Sequence, residues 1–168
     1  MISPDRPRVP GAAPRPGDLL PSALLPSLTG GAVADLRSGR GPRALLTVHS
    51  AGCPECRQYV ASEFARAFAQ VGEWGGRLAV IVPGNPGEAP ELAEIVPAGI
   101  ELLRDPEAGL ASGRAQVVIA DEWGEVFFVE DAGAAHDLPG SLDIRDWIRF
   151  LAIQCPECEG PEGAWRTI

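Results

Sequence analysis

Residues 43–56 read RALLTVHSAGCPEC, and this stretch decides the fold of the chain. Its first part, Arg43–Ser50, is a short apolar run bounded by turn residues, which predicts a buried strand. Pro54 follows Cys53 directly, and proline is favoured at the first position of a helix because the N–H that it lacks has no helical partner there. The next apolar residues share one helical stripe, which predicts an amphipathic helix. They are Val60, Phe64, Ala67, Phe68 and Val71.

Strands and helices alternate on either side of this unit. Upstream, Leu19–Leu36 predicts an extended lead-in with a turn at residues 29–31 between two short strands. Downstream, the predicted elements are a strand at Leu78–Val82, a short helix at Glu91–Val96, a strand at Ile100–Leu103, a helical turn at Asp105–Leu110, a hairpin of Gln116–Ala120 with Glu125–Val129, and a final helix at Leu142–Ile153. This order predicts an α/β fold with a mostly parallel sheet covered on both faces, to which the hairpin adds antiparallel strands.

The composition limits the classes of protein to consider. The chain has 168 residues, which suits one domain. Residues 1–17 are rich in proline and arginine and are predicted to be disordered. Residues 18–153 form the predicted domain, and residues 154–168 a C-terminal tail. The net charge of −9 argues against binding to nucleic acid or to an anionic membrane, because both need a basic surface.

The cysteines occur in two pairs with the same tetrapeptide, CPEC, at residues 53–56 and 155–158. No window is apolar enough for a transmembrane helix, and the N-terminus lacks the apolar run of a secretory signal, so a cytoplasmic protein is expected. In such a chain, C-x-x-C indicates redox chemistry or a metal site rather than a disulfide scaffold.

The chain resembles the thioredoxin superfamily, and within it the redoxin branch of thiol–disulfide oxidoreductases and peroxiredoxins. Residues 17–21 and 28–36 resemble the opening hairpin of that branch, and Leu45–Cys56 resembles its active site. Val117–Val126 resembles its strand–turn–strand with D-x-x-G at the turn, and the final helix is its usual last element. The resemblance implies a thioredoxin-like three-layer sandwich, in which a central mixed sheet has helices on both faces. It also implies exchange with a protein dithiol or disulfide partner and no required cofactor.

Two positions depart from that family. The family has a cis-proline just before the fourth strand, facing the cysteines, and counting back from the D-x-x-G turn puts Ala115 or Gln116 there. The peroxiredoxin pattern has threonine three residues before its reactive cysteine, where this chain has Ser50 before Cys53. Thiol–disulfide exchange is therefore favoured over peroxide reduction.

The chemistry expected of the first pair follows from its place at a helix start. Only a thiolate attacks a disulfide, and a helix N-terminus stabilises a thiolate through its N–H groups and partial positive charge. Cys53 is the predicted nucleophile, and Cys56, about one turn later, is the predicted resolving cysteine. The charge of Glu55 opposes thiolate formation, and Arg57 is expected to offset that charge.

Two histidines are candidate auxiliary residues. His49 lies four residues before Cys53, and His136 lies in the loop before the last helix. Either could transfer a proton to a thiolate or bind a metal together with Cys53 and Cys56. The alternative is structural, with one histidine bonded at a strand end and the other in solvent.

The second pair, Cys155 and Cys158, follows the final helix, which is expected to run about 18 Å away from the active-site face. Within one chain this pair should therefore lie far from Cys53. Three roles remain open for it: a redox pair that relays electrons, a metal site shared with another chain in a homodimer, or a local disulfide. For the whole protein, zinc binding by the CPEC pairs and a catalytically degenerate interaction module are the alternatives to an oxidoreductase.

Overall fold

The computed structural model describes residues 14–84, 90–107, 109–110, 113–132 and 137–154. The strands are β1 (Leu24–Pro26), β2 (Val33–Asp35), β3 (Arg43–Thr47), β4 (Arg77–Pro83), β5 (Glu101–Asp105), β6 (Ala115–Ala120) and β7 (Val126–Ala132). The helices are α1 (Pro54–Tyr59), α2 (Ala65–Val71), α3 (Pro90–Ile95) and α4 (Ser141–Ala152). A π-helical segment, Val60–Phe64, joins α1 to α2, so that residues 54–71 form one continuous helix.

The central sheet has five strands in the order β5-β4-β3-β6-β7. β3 is parallel to β4 and antiparallel to β6, and β4 is parallel to β5, so the sheet is mixed. All five residues of β3 are buried, as expected for a central strand covered on both faces. The predicted α/β class, the central mixed sheet and the β6–β7 hairpin are therefore confirmed.

One face of the sheet carries the helices. Along β3, Ala44 and Leu46 point into a cluster with helix residues, whereas Leu45 belongs to a second cluster on the opposite face. Phe64 from the helix at 54–71 and Ile148 from α4 are fully buried in the first cluster. Because successive side chains of a strand point to opposite faces, the sheet separates two cores, one on each side.

The opposite face of the sheet is covered by a hairpin and a loop instead of the helices that were predicted for both faces. The β1–β2 hairpin and its lead-in bury Leu20, Leu25 and Leu36 there, and Leu110 packs at their margin. Among the described residues of 105–114 there is a turn rather than the predicted helical turn, because the carboxylate of Asp105 accepts a hydrogen bond from the Leu110 N–H (2.7 Å) inside the loop. In the described part of the chain, every helix that buries a residue buries it on the first face, so this layer is built from strands and loop.

The described part of the chain begins at residue 14. Residues 1–13 fall outside the described part of the chain, so disorder there stays a prediction. Gly17 already belongs to the sheet region, since its N–H donates to the carbonyl of Val126 (2.7 Å). Leu20 in turn donates to the carbonyl of Gly124 (2.8 Å). No helix among the described residues is both long enough and apolar enough to span a bilayer.

The turn before β3 depends on Gly41, which has a positive φ of 83°. A Cβ at this position would overlap the main-chain carbonyl oxygen of Gly75. We expect Gly41→Ala to lower the free energy of unfolding by more than about 2 kcal/mol, because both left-handed strain and a main-chain overlap must be relieved. Urea denaturation measures the loss.

Gly31→Ala is the matched control for that substitution. Gly31 also has a positive φ, 65°, but a Cβ there would meet no heavy atom within 4 Å. Only the conformational cost remains, about 1 kcal/mol. If both variants lose the same free energy of unfolding, the overlap with the Gly75 carbonyl does not explain the effect of Gly41→Ala.

Candidate active site

The helix at 54–71 begins at Cys53, which has the extended conformation of an N-cap residue (φ −67°, ψ 115°). Its carbonyl accepts the first helical hydrogen bond, from the Arg57 N–H (3.0 Å). Its Sγ accepts a second, from the Cys56 N–H (3.3 Å). Pro54 occupies the first helical position, as predicted. The sulfur of Cys53 therefore takes the place that a serine or aspartate side chain fills at other helix starts.

The two cysteines of this turn differ in exposure. Cys53 retains 8 % of its accessible surface and Cys56 retains 2 %. Both are free thiols, and their Sγ atoms lie within 4.8 Å of one another and of a His49 ring nitrogen. A disulfide requires about 2.05 Å between the sulfurs, so side-chain rotation and a small main-chain adjustment would have to close the gap. Cys53 is thus the outer cysteine of this turn and Cys56 the inner one.

Burial sets the electrostatics of the inner cysteine. It raises the pKa of the Cys56 thiol to about 11, although a main-chain hydrogen bond at His49 lowers that pKa in part. The neighbouring Cys53 and the charge of Glu55 raise it further. At neutral pH Cys56 is therefore held as the thiol, and it must lose a proton before it can attack a disulfide.

His49 contacts the inner cysteine. Its Nδ1 lies 3.5 Å from the Sγ of Cys56, within hydrogen-bonding distance for sulfur, and the imidazole is exposed to solvent. The ring therefore connects a buried thiol to water. The sequence marked His49 as a candidate from its place at the strand end, but the distance to Cys56 depends on the turn at residues 50–52. His136, Cys155 and Cys158 lie outside the described residues.

Two charged residues, Glu55 and Arg57, flank the inner cysteine in the sequence. Arg57 forms an ion pair with Glu91 of α3 (2.8 Å), and the two side chains are 36 % and 66 % exposed. Glu55 is exposed beside the cysteines. The contact of Arg57 is therefore with α3, and its offset of the Glu55 charge stays a prediction. An ion pair this exposed contributes at most about 1 kcal/mol.

The position assigned to the family's cis-proline is at the start of β6. Ala115 is buried in the same cluster as both cysteines. Gln116 is buried on β6 opposite Thr47. The peptide bonds of the described residues are all trans.

Two contacts that the sequence did not reveal hold α4 beside the helix at 54–71. The hydroxyl of Tyr59 donates to the carbonyl of Pro139 (2.6 Å), and burial raises the pKa of Tyr59. The carboxylate of Glu63 accepts from the Ser141 N–H at the start of α4 (2.8 Å), which lowers the pKa of Glu63. Both contacts join residues far apart in the chain, and no local pattern predicts such pairs.

The chain is similar to known proteins in its structure. No protein-family model matches the chain, and no curated protein matches it. Among solved structures, it is similar to a thiol peroxidase from Chromobacterium violaceum (20 % identity, 83 % of this chain and 89 % of that chain, TM-score 0.64). It is also similar to the peroxidoxin BcpB from Mycobacterium tuberculosis (18 % identity, 83 % of this chain and 98 % of that chain, TM-score 0.67). A third similar structure is a putative thiol:disulfide interchange protein DsbE from Chlorobium tepidum (19 % identity, 82 % of this chain and 98 % of that chain, TM-score 0.64). At these identities the likeness establishes the fold.

Proposed function

Because the chain has the redoxin form of the thioredoxin fold, we propose that it is a thiol–disulfide oxidoreductase whose redox centre is the Cys53–Cys56 pair. One observation carries the proposal: an outer cysteine at a helix N-cap lies within 4.8 Å of a buried second cysteine. An outer thiol can meet a partner, and an inner thiol one turn away can release it. The partner would be a protein dithiol or disulfide. No cofactor is needed, because the sulfurs carry the electrons.

The reduction of a partner would take two steps. The Cys53 thiolate attacks one sulfur of the partner disulfide, and the other partner sulfur leaves as a thiolate and takes up a proton. Cys56, after losing its proton, then attacks the Cys53 sulfur, which forms the Cys53–Cys56 disulfide and releases the second partner thiol. Two electrons pass to the partner, and the reverse sequence oxidises it. The Cys56 N–H that donates to Cys53 Sγ (3.3 Å) binds a thiolate more strongly than a thiol, which supports attack by the outer cysteine.

The second step needs a proton acceptor, and His49 is the candidate. Its Nδ1 faces the Sγ of Cys56 at 3.5 Å, and its exposure allows the proton to pass to water. Since burial raises the pKa of Cys56 to about 11, few Cys56 thiols ionise unaided at neutral pH. A base at this position would therefore accelerate the resolving step rather than the first attack.

We expect His49→Ala to slow the resolving step about 10- to 100-fold at pH 7, which is the scale of general-base catalysis. The step can be followed directly by placing a chromophoric aryl thiol on Cys53 as a mixed disulfide and recording its release by Cys56. In the variant the rate should rise about tenfold per pH unit from pH 7 towards 10, because Cys56 must then ionise without the base.

Ser50→Ala is the neighbouring control and should leave both steps unchanged. The first attack by Cys53 serves as an internal control in the His49 variant. A first attack and a resolving step that slow equally, with no recovery at high pH, would show that His49 acts on the structure of the loop instead.

The proposal is tested by the reduction potential of the pair in a Cys155→Ser, Cys158→Ser variant. The protein is equilibrated in buffers of reduced and oxidised dithiothreitol, and zinc is assayed on the same samples. A reversible two-electron transition without metal is the expected result, and its potential decides whether the pair reduces or oxidises its partner in the predicted cytoplasmic location. No transition would overturn the proposal. Turnover of insulin disulfides then separates an enzyme from a degenerate interaction module.

Zinc binding is the second candidate, and the grouping of His49, Cys53 and Cys56 favours it. Their ligand atoms all lie within 4.8 Å of one another, and zinc accepts one nitrogen and two sulfurs with a fourth position left for another ligand. About one zinc per chain that resists removal, together with the absence of a redox transition, would replace the oxidoreductase with a metal site.

A further inference from the structure

The outer face of α4, away from the buried Ile144 and Ile148, carries a groove of about 300 Å³. Its lining residues are Asp143, Asp146, Trp147 and Phe150. They follow the spacing i, i+3, i+4 and i+7, so they surround a single gap in the helix surface. Four residues with this spacing form the hole that takes one inserted side chain in a coiled coil. The groove therefore has the shape and size for one side chain of a partner.

Two aromatic rings form walls of this groove. The rings of Trp147 and Phe150 are nearly perpendicular, with an interplanar angle of 86° and centres 5.9 Å apart. Phe128 of β7 packs against the same indole, with ring centres 5.5 Å apart. Phe150 is 49 % exposed, although the face of a surface helix that points away from the core usually carries polar side chains. The faces of such rings attract cations, and the face of tryptophan attracts them most strongly.

Another tryptophan of this protein already has a cation at its ring. The guanidinium of Arg149, also on α4, lies 6.0 Å from the centre of the Trp74 ring. In the part of the chain that the structure describes, no arginine lies over Trp147 in this way. The ring of Trp147 thus meets aromatic neighbours on its own domain and has room for a cation from outside.

The two carboxylates give the groove its charge. Asp143 accepts a hydrogen bond from the Gly140 N–H through Oδ2 (3.1 Å), and Asp146 accepts from Arg145 through Oδ1 (2.7 Å). The other oxygen of each carboxylate accepts no hydrogen bond from a described residue. An apolar side chain in the groove would remove water from these oxygens without replacing its hydrogen bonds, which is unfavourable. A cationic side chain would replace them.

We propose that the groove on α4 binds an arginine side chain of a partner protein. A planar guanidinium can stack on the Trp147 ring and donate to both carboxylates at once, because its N–H groups point outward in one plane. The ammonium of lysine is compact and strongly hydrated, so it fits this combination less well. The net charge of −9 adds a long-range attraction for a basic partner. This proposal is independent of the redox function proposed for the cysteines.

Binding is tested with a five-residue peptide that has one arginine between alanines and blocked ends. The matched control peptide has citrulline in place of arginine, which keeps the shape and removes the charge. The indole N–H resonances of the full-length protein are followed by NMR and assigned with single Trp→Phe variants. We expect the arginine peptide to shift the Trp147 resonance in a saturable way, and the citrulline peptide to bind about tenfold more weakly. Trp123, which is 38 % exposed and follows the acidic residues 121–122, should not shift.

Two variants test the chemistry of the groove. Asp143→Asn, Asp146→Asn keeps the size of both side chains, so the arginine peptide should lose its advantage over the citrulline peptide. Phe150→Ala changes an exposed residue and removes one wall, so it should weaken binding of the arginine peptide by itself. Equal binding of both peptides to the unaltered protein, or no shift of Trp147, would overturn the proposal. Equal shifts of Trp147 and Trp123 would also overturn it, because they would indicate attraction by charge alone.

The same resonance detects other occupants of the groove. If the Trp147 signal moves when the protein is diluted without peptide, a second copy of the chain occupies the groove. If it moves in an Arg6→Gln, Arg8→Gln variant without peptide, an arginine of the same chain occupies it. Either result would overturn the assignment of the groove to a partner protein.

Discussion

Cys53→Ser is expected to lower the rate of disulfide exchange about a thousandfold or more, since it removes the only thiol that combines an N-cap position with access from solvent among the described residues. Cys56→Ser should have a different effect. It leaves the attacking sulfur in place, so the first step proceeds, but the mixed disulfide with the partner is not resolved and turnover stops after one event.

Both variants are made in the Cys155→Ser, Cys158→Ser background, so that the tail pair does not contribute. A peptide disulfide with a chromophoric leaving thiol measures the first attack, and mass spectrometry detects the trapped partner on Cys53. The background protein itself is the control, and it should attack and turn over.

The roles are assigned to the wrong residues if Cys53→Ser still accumulates a mixed disulfide on Cys56. That result would mean that the inner thiol is accessible in solution, contrary to its 2 % exposure. Equal and complete loss of the first attack in both variants would instead indicate that the pair acts only as a unit, for example as metal ligands.

Local sequence patterns predicted the parts of the fold that local physics determines. Three patterns predicted elements to within a few residues of their observed bounds. They are the apolar run of β3, the proline after Cys53 and the stripe that includes Phe64 and Val71. The Asp121–Gly124 turn predicted the β6–β7 hairpin, because the aspartate carboxylate accepts main-chain N–H groups inside the turn. The geometry of Cys53 at the helix start follows from the same local rules.

The sequence did not predict contacts between distant parts of the chain. Arg57 pairs with Glu91 because α3 lies beside the active-site helix. A neighbour from another element decides this contact, and periodicity along the chain carries no information about that neighbour.

Arg43 is the clearest case of a residue whose role the sequence concealed. It begins the apolar run of β3, yet its side chain is only 4 % exposed, and burial lowers its pKa from the usual arginine value. At the beginning of β3, the guanidinium donates to main-chain carbonyls of the segment after β2 and of the β6–β7 turn. These belong to Leu36, Ser38 (3.1 Å), Gly39 (3.3 Å) and Glu122 (3.1 Å). One side chain thus joins the hairpin layer to the β6–β7 turn.

We expect Arg43→Met to lower the free energy of unfolding by about 3–5 kcal/mol. Methionine fills similar volume but donates nothing, so carbonyls such as that of Leu36, which is itself buried, lose a charged donor that water cannot readily replace. Urea denaturation of the reduced protein, followed by tryptophan fluorescence, measures the change. Thiol–disulfide exchange by Cys53 should persist below the transition, because Arg43 lies at the end of β3 away from the cysteines.

Arg77→Met provides the matched comparison on the neighbouring strand. Arg77 also donates to the Ser38 carbonyl (2.7 Å) and pairs with Glu101, but its side chain is 36 % exposed, so water can take over both contacts. Its removal should cost about 1 kcal/mol or less. If the two substitutions lowered the free energy of unfolding equally, burial of Arg43 would not explain its contribution to stability. A larger loss at Arg43 would identify desolvated carbonyls, rather than arginine charge as such, as the reason why the hairpin layer stays attached to the sheet.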